Sequence, residues 1–423
     1  MAKSNLIAGL DIGSGKITAV SGYMNQETGK LNIVSGVSVP CAGLKNGIVT
    51  DLRQVSNAVI TVINKLESDA KQDLRGLYIA LRGGHLQSTV SHGVCNISRA
   101  DKEINPEDVD RVISNALSAC SVPDNYENVS VEEQEFIVEG QGGIMNPEGM
   151  DGTSLEVYVY VTSGLSSPLS NLRKAIARAE YRITGTRYGL MCLSEAVLTQ
   201  EEKDSGVLLI DLGGETTSIG ICCDGCLQYS KEFDVGCDLI TSDIAYALHT
   251  SKSNALKIKE QEGLCFPRYN EEENEEEVKV YSADGKVATT LKRSVILDVI
   301  LPRMQDIFKM VKESISEIDI AGYIPVGVLT GGGSSMPGIE SLASQVFGLK
   351  VVRCGGVSKE LVEVASEDFL KPEYTTAISL LLYVSKKEPS DGKKEPEIMS
   401  KSPIMKYGKK FFKSLINSDI FGG

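Results

Sequence analysis

Histidine is scarce, with three in 423 residues (His85, His92 and His249). That shortage argues against a Ser-His-Asp or Cys-His hydrolase, which needs an imidazole beside its nucleophile. Basic residues are outnumbered, 43 Lys and Arg against 57 Asp and Glu, giving a net charge of -14 and a pI near 4.9. A general nucleic-acid binder is therefore not expected, because it needs a basic face to displace counterions from phosphates. No apolar run reaches the ~18 residues that could span a bilayer, and the opening MAKSNLIAGLDIGSGK lacks the apolar core and small-residue cleavage site of a secretory signal. The chain is expected to be cytoplasmic, and its ten scattered cysteines to be reduced and mostly buried. One CxxC occurs, within CCDGC at Cys222 to Cys226, with no second to complete a zinc site. Its middle residues, Asp224-Gly225, lie between strand-like SIGIC and CLQYS and read as a two-residue hairpin turn.

What is present is an ordinary globular composition, 42% hydrophobic and 24% charged, long enough for two or more domains. The strand-like segments LIAGLDIG, KITAVSGYM and LNIVSGVSV precede LRQVSNAVITVINKLESDA, where Val55, Val59, Val62, Ile63 and Leu66 recur at helical spacing. The strand GLYIALRGG follows, so the fold class is α/β with layered sheet and helix. Between about 85 and 163 the character changes to a small α+β unit: NPEDVDRVISNALSAC opens like a helix at Asn-Pro, and EQEFIVEG and LEVYVYVTS alternate like strands. From about Ser205 the opening is repeated, GLDIGSGK being echoed by LIDLGGET with Asp11 matching Asp211 and Gly13 matching Gly213. Two related domains facing one another are expected. The acidic run Tyr269 to Val278 reads as a solvated loop tip, and Ser385 to Ser402, rich in Pro, Lys and Glu, as a disordered linker.

Glycine-rich turns at strand ends can converge backbone N–H groups on a phosphate, since glycine permits positive φ and leaves no Cβ in the ligand's way. Asp11 and Asp211 end the two buried strands, and such carboxylates suit a hard cation that bridges phosphate oxygens through water. Mg²⁺ with a nucleotide is the ligand these features imply. A third turn, Gly331-Gly332-Gly333 in VLTGGGSSMPGIESLASQVFG, ends another apolar strand and leaves bare backbone for a base or ribose, with a helix expected from near Pro337.

These three turns resemble the actin, Hsp70 and sugar-kinase ATPase superfamily, GLDIGSGK its first phosphate loop, IDLGGETT its second and LTGGGSSMPGI its adenosine loop. Within it the chain is most similar to the bacterial cell-division actins of the FtsA family, over nearly its whole length, including CAGLKNGIVTDL, VSHGVCNIS, EQEFIVEGQGGIMNPEGMDGTSLEV, LSEAVLTQEE, ITSDIAYAL and VILPRMQDIF. The resemblance implies an actin-like ATPase fold with two related domains around a nucleotide cleft, the first formed by residues 1–84 and 164–200. The second comprises 201–236 and 304–384 with a smaller lobe at 237–303, and a family-specific subdomain is inserted at 85–163. It implies ATP with Mg²⁺, at most weak hydrolysis, self-assembly into filaments, and contact with the tubulin-like ring protein FtsZ at the division septum, on the cytoplasmic side of the membrane. Later division proteins would be met through the inserted subdomain.

The implied nucleotide residues are Asp11, Gly13, Ser14, Gly15 and Lys16; Asp211, Gly213, Gly214, Glu215, Thr216 and Thr217; Gly236 and Lys259; and Gly331, Gly332, Gly333, Ser334 and Met336. Asp11 and Asp211 would hold Mg²⁺ through water. Arg293 and Arg303, read as exposed charges, are the candidates for FtsZ contact. Three positions depart from the family pattern. Glu215 stands where a third glycine is usual, and a carboxylate ~4 Å from a phosphate costs about 4 kcal/mol at an effective dielectric of ~20; it points away, holds Mg²⁺, or marks a degraded site. Leu256 stands where a ribose-binding carboxylate is expected, three residues before Lys259. Thr18 stands where relatives often carry a lysine, with Lys16 on the same strand face as its substitute.

The tail SPIMKYGKKFFKSLINSDIFGG, residues 402–423, places Ile404, Tyr407, Phe411, Phe412, Leu415 and Ile416 at helical spacing with Lys406, Lys409, Lys410 and Lys413 between them. A C-terminal amphipathic helix over 403–423, preceded by the 385–402 linker, is expected to lie on an anionic bilayer. A small-molecule kinase of the same superfamily is the competing reading; it would need a carboxylate base beside a closed pocket and has no use for such a tail. A chaperone would need a further domain after the second half.

Overall fold

A computed structural model describes residues 6–13, 15–267, 275–282, 288–316, 318 and 324–387. Their contacts divide them into two units, one of residues up to His85 with Ser170–Tyr383, the other of Leu86–Leu169 with Val384 onward.

The larger unit holds two sheets built on one plan. In the first, Ile7–Ile12 lies between the antiparallel Lys16–Met24 and the parallel Gly76–Leu81; Leu31–Pro40 and Val362–Val364 extend one side and Gly185–Tyr188 the other. In the second, Val207–Leu212 lies between the antiparallel Thr217–Cys223 and the parallel Val326–Thr330, flanked by Cys226–Phe233 and Val351–Cys354. The register is equivalent as well: Asp11 pairs with Thr18 and Ala80, and Asp211 with Ser218 and Thr330. The central strand Val207–Leu212 is buried at all six positions, which is why it reads as a continuous apolar run rather than an alternation.

The helix Leu52–Ala70 coincides with its 3.6-residue pattern: Val55, Val59, Val62, Ile63 and Leu66 are all buried. Asp51 caps its start, accepting from the Arg53 and Gln54 N–H groups. Asp224 and Gly225 both take positive φ, 51° and 81°, and close the expected hairpin between Thr217–Cys223 and Cys226–Phe233. The core of the second half joins Leu208, Ile210, Ile219 and Ile221 of the sheet to Ile300, Met304 and Phe308 of the helix Arg293–Ile315. That helix runs through the boundary expected at 303/304. Behind the third glycine turn the helix spans Ile339–Phe347 with Gly338 as its cap, two residues later than Pro337. The acidic run leads into a strand, Glu277–Tyr281, so its last residues are not loop.

The smaller unit is an α+β fold. Its sheet runs in the order Leu86–Asn96, Ser154–Leu165, Tyr126–Val138, Gln141–Ile144, covered by the helix Pro106–Ala119. The Asn-Pro start is a full capping box, Asn105 accepting from the Asp108 N–H and Asp108 from the Asn105 N–H. The helix Thr375–Lys387 continues three residues into the stretch read as linker, a correction to its start at 385. The rest of that linker and the amphipathic tail lie outside the described residues.

Candidate functional site

The parallel strands of both halves end at one place, the usual position for ligands in open α/β sheets. Gly13 donates its N–H to the Lys16 carbonyl at 3.1 Å, folding the first turn back on itself. A Cβ added at Gly15 would meet nothing within 4 Å, so that backbone is bare; Ser14 lies outside the described residues. Lys16 is half exposed and paired with Glu373 at 2.5 Å, while Thr18 is buried with its hydroxyl 3.1 Å from that of Ser38.

The second turn repeats the first, Gly213 donating to the Thr216 carbonyl at 2.9 Å. Thr216 is buried, and the Thr217 hydroxyl donates to the Val235 carbonyl at 2.7 Å. Gly214 lies against Asp238, whose carboxylate an added Cβ would approach to 2.9 Å, and Gly236 lies against the Gly214 carbonyl. Lys259 donates to the Cys237 carbonyl at 3.1 Å and stands 3.7 Å from Asp238. Leu256 is partly exposed on the same helix, Lys252–Glu262.

The third turn packs on the second. Gly331, at φ 81°, has its backbone against Asp211, and a Cβ there would fall 2.2 Å from Asp211 Oδ1. Gly333 is pressed against Leu212 and Cys237 in the same way, whereas Gly332 faces open space. The Ser334 hydroxyl is turned back to the Gly331 carbonyl at 2.8 Å, and Met336 is packed in the apolar core. The structure thus brings together the backbone of all three turns and both aspartates, while Ser334, Met336 and Thr217 spend their side chains on the protein itself.

Glu215 and Arg82 are among the residues that tie the halves across this place. Glu215 accepts the Asn46 N–H at 2.7 Å, so it points to the Lys45–Gly47 turn of the first half. Arg82, at the end of Gly76–Leu81, was not singled out in the sequence. Its Nε is 3.2 Å from Asp11 Oδ1 and its Nη2 is 3.0 Å from Asp211 Oδ2, with a further bond to the Thr376 hydroxyl at 2.7 Å. Only 11% of its side chain is exposed. The Asp11 contact is electrostatic, since among the described residues neither Arg82 Nε nor Asp11 Oδ1 has a hydrogen-bond partner of good geometry. Glu232 sits behind, accepting from Tyr188, Ser218 and the Gly83 N–H at 2.8, 2.8 and 3.0 Å. Burial pushes the Asp11 carboxyl upward, the guanidinium opposes that, and Asp211 adds to it. Burial also pushes Glu232 up against its hydrogen bonds, whereas for Arg82 the surrounding carboxylates outweigh burial and raise it.

Arg82 was legible in one respect. The register aligns Ala80 with Thr330, so IALRG stands where LTGGG stands in the repeat, and Arg82 corresponds to the bare Gly332.

The two residues read as exposed partner contacts are not free charges. Arg293 has 12% of its side chain exposed and is paired with Glu262 at 2.8 Å and with Glu276, which corrects its reading as exposed. Arg303 is about one-third exposed and holds Asp243 through two bonds at 2.6 and 3.2 Å.

The family model for cell division protein FtsA matches residues 208–379, and that for the SHS2 domain inserted in FtsA matches residues 83–163. Cell division protein FtsA of Pseudomonas aeruginosa is 30% identical over 388 residues, covering 92% of this chain and 91% of that protein. The chain belongs to the FtsA family of cell-division proteins. The FtsA of Bacillus subtilis is similar too, 31% identical over 399 residues, 93% of this chain and 87% of that one. Among solved structures, the PilM-PilN type IV pilus biogenesis complex matches with a TM-score of 0.63 at 17% identity, over 89% of this chain and 98% of that one. MreB5 of Spiroplasma citri bound to ADP matches with a TM-score of 0.54 at 13% identity, over 90% and 96%. The fold is that of the actin-like ATPases, with the FtsA-specific subdomain inserted in the first half.

The bare backbone at Gly15 and Gly332 fits an anion or ribose edge. The carboxylates do not fit Mg²⁺. Both already face one guanidinium, and a divalent ion ~5 Å from it meets a repulsion of about 7 kcal/mol at an effective dielectric of ~20, which offsets part of its attraction to them.

Proposed function

We propose that this FtsA-family chain links the FtsZ ring to the cytoplasmic face of the bacterial membrane at the septum, assembling with copies of itself and meeting later division proteins through the inserted subdomain. The observation that carries the reading is the subdomain itself: a four-stranded α+β unit placed between the strand Gly76–Leu81 and the helix Ser166–Arg178, in the stretch matched by the FtsA-specific family model. Membrane contact falls to residues 403–423, where four lysines on an otherwise acidic chain each contribute about 1 kcal/mol near an anionic surface. Adenine nucleotide is the ligand proposed for the cleft, on the three converging turns, with hydrolysis weak at most. Arg303, and Arg293 if its ion pairs open, remain the proposed FtsZ contacts.

The test is co-sedimentation of purified FtsZ with anionic vesicles. FtsZ should pellet with the vesicles only when the full chain is added, and should stay in solution with the chain lacking 403–423. FtsZ that remains soluble in both cases, with the full chain itself not pelleting with the vesicles, would sink the reading. A vesicle-bound chain that carries no FtsZ would sink the partner half alone.

A further inference from the structure

Three buried acids, Asp11, Asp211 and Glu232, converge at the floor of the cleft, and the guanidinium of Arg82 faces all three. Asp11 and Asp211 come from strands two hundred residues apart, and the guanidinium of Arg82 is what they share. The fit is specific. Nε lies 3.2 Å from Asp11 Oδ1 as an electrostatic contact, while Nη2 reaches Asp211 Oδ2 at 3.0 Å and donates to the Thr376 hydroxyl at 2.7 Å. The remaining oxygen of Asp211, Oδ1, has no hydrogen-bond partner among the described residues, and the Gly331 backbone covers it so closely that a Cβ there would lie 2.2 Å away. Around the floor, Glu215 is drawn off to the Asn46 N–H, Lys16 is paired with Glu373, and Lys259 is held between the Cys237 carbonyl and Asp238.

We propose that Arg82 is the resident cation of this cleft, taking the place between Asp11 and Asp211 that a divalent metal would need, so that the cleft holds no divalent ion. The charge between the two halves is balanced by the chain itself. A guanidinium also differs from a metal in permanence: it remains through every cycle of ligand entry and release, so the two halves stay bridged without a ligand. The inference is independent of the FtsZ and membrane reading. A consequence that rests on the nucleotide proposal is that any nucleotide binding is indifferent to EDTA.

The experiment is Mn²⁺ titration of the full chain without nucleotide, read by the electron paramagnetic resonance signal of the free ion. Wild type and Asp211→Asn should bind Mn²⁺ alike, through scattered surface carboxylates only. Arg82→Ser should bind one further equivalent, lost again in Arg82→Ser with Asp211→Asn. It should also melt lower than wild type in EDTA and recover by about 4 °C or more in excess Mn²⁺. Wild type that binds one equivalent more than Asp211→Asn overturns the proposal, and so does folded Arg82→Ser that gains no site. Where Arg82→Ser does not fold, the comparison of wild type with Asp211→Asn still decides it, equal binding supporting the proposal and unequal binding overturning it.

Discussion

His85 closes the strand and turn that carry Arg82, and only 5% of it is exposed. Burial pushes its imidazole down from 6.5 to about 4, opposed only in part by Asp234, and its Nδ1 has no hydrogen-bond partner among the described residues. The unfolded chain therefore binds a proton that the folded chain refuses between about pH 6.5 and pH 4. Its contribution is fully present above the unfolded value and is lost as pH falls through that window, up to roughly 3 kcal/mol. His85→Gln, which cannot charge, should lose less stability than wild type between about pH 7.5 and pH 5, as read by urea unfolding at each pH. Equal losses would refute the assignment. Glu215 acts at the same scale. Removing its carboxylate leaves the Asn46 N–H without its bond, so Glu215→Gly should cost about 1 kcal/mol in urea unfolding. Because the carboxylate is turned to Asn46, on the nucleotide proposal the same change should leave affinity for a fluorescent ATP analogue in EDTA within about twofold.

At the scale of elements, the glycines that matter most are those where two elements touch. In the inserted subdomain, a Cβ at Gly93 would fall 2.3 Å from the Val112 carbonyl and 2.6 Å from the Ala116 nitrogen, so the helix Pro106–Ala119 rests directly on the strand Leu86–Asn96. Backbone cannot yield as a side chain can. Gly93→Val should therefore destabilise the subdomain by about 3 kcal/mol or more, seen as early loss of amide-exchange protection in 86–165 while the strands around Asp11 and Asp211 keep theirs. Uniform loss across the chain would contradict this. In the larger unit, Gly9 lets the helix Thr375–Lys387 approach the central strand, its absent Cβ lying 2.8 Å from the Ala377 carbonyl. Such approaches leave little trace in sequence, because a glycine in a strand also reads as a bulge or a weak point.

The whole molecule joins an actin-like body, an inserted subdomain and a lysine-bearing C-terminal stretch. On the proposed function these separate cleanly: deleting 403–423 should abolish vesicle binding by sedimentation while leaving the melting of the body unchanged. Raised salt should weaken the vesicle binding of the full chain, as expected for lysines at an anionic surface. Vesicle binding that survives the deletion would move the membrane contact elsewhere. The proposed FtsZ contact, in contrast, is masked in this conformation. Arg293 and Arg303 are committed to Glu262, Glu276 and Asp243, so their replacement tests the packing of the smaller lobe as much as any partner.

Local order follows from local sequence. The helix Leu52–Ala70 was legible because apolar residues every three or four positions suit no other regular structure, and the Asp224-Gly225 hairpin because few dipeptides so readily take two positive φ angles. The duplicated strand-Asp-turn was legible because a repeat is visible without coordinates, and it led to the fold. The meaning of Arg82 was not. LRGG reads as the end of a strand, and nothing within a few residues tells that the parallel register beside Ile7–Ile12 sets the guanidinium next to Asp11, or that the second half brings Asp211 to its other side. Glu215 was legible as an anomaly, yet its partner, the Asn46 N–H, is 169 residues away. The sequence by itself determined the elements and the repeat, since these depend on spacing along the chain. Which charge meets which depends on distances across it, and only the packing of the two halves decided that.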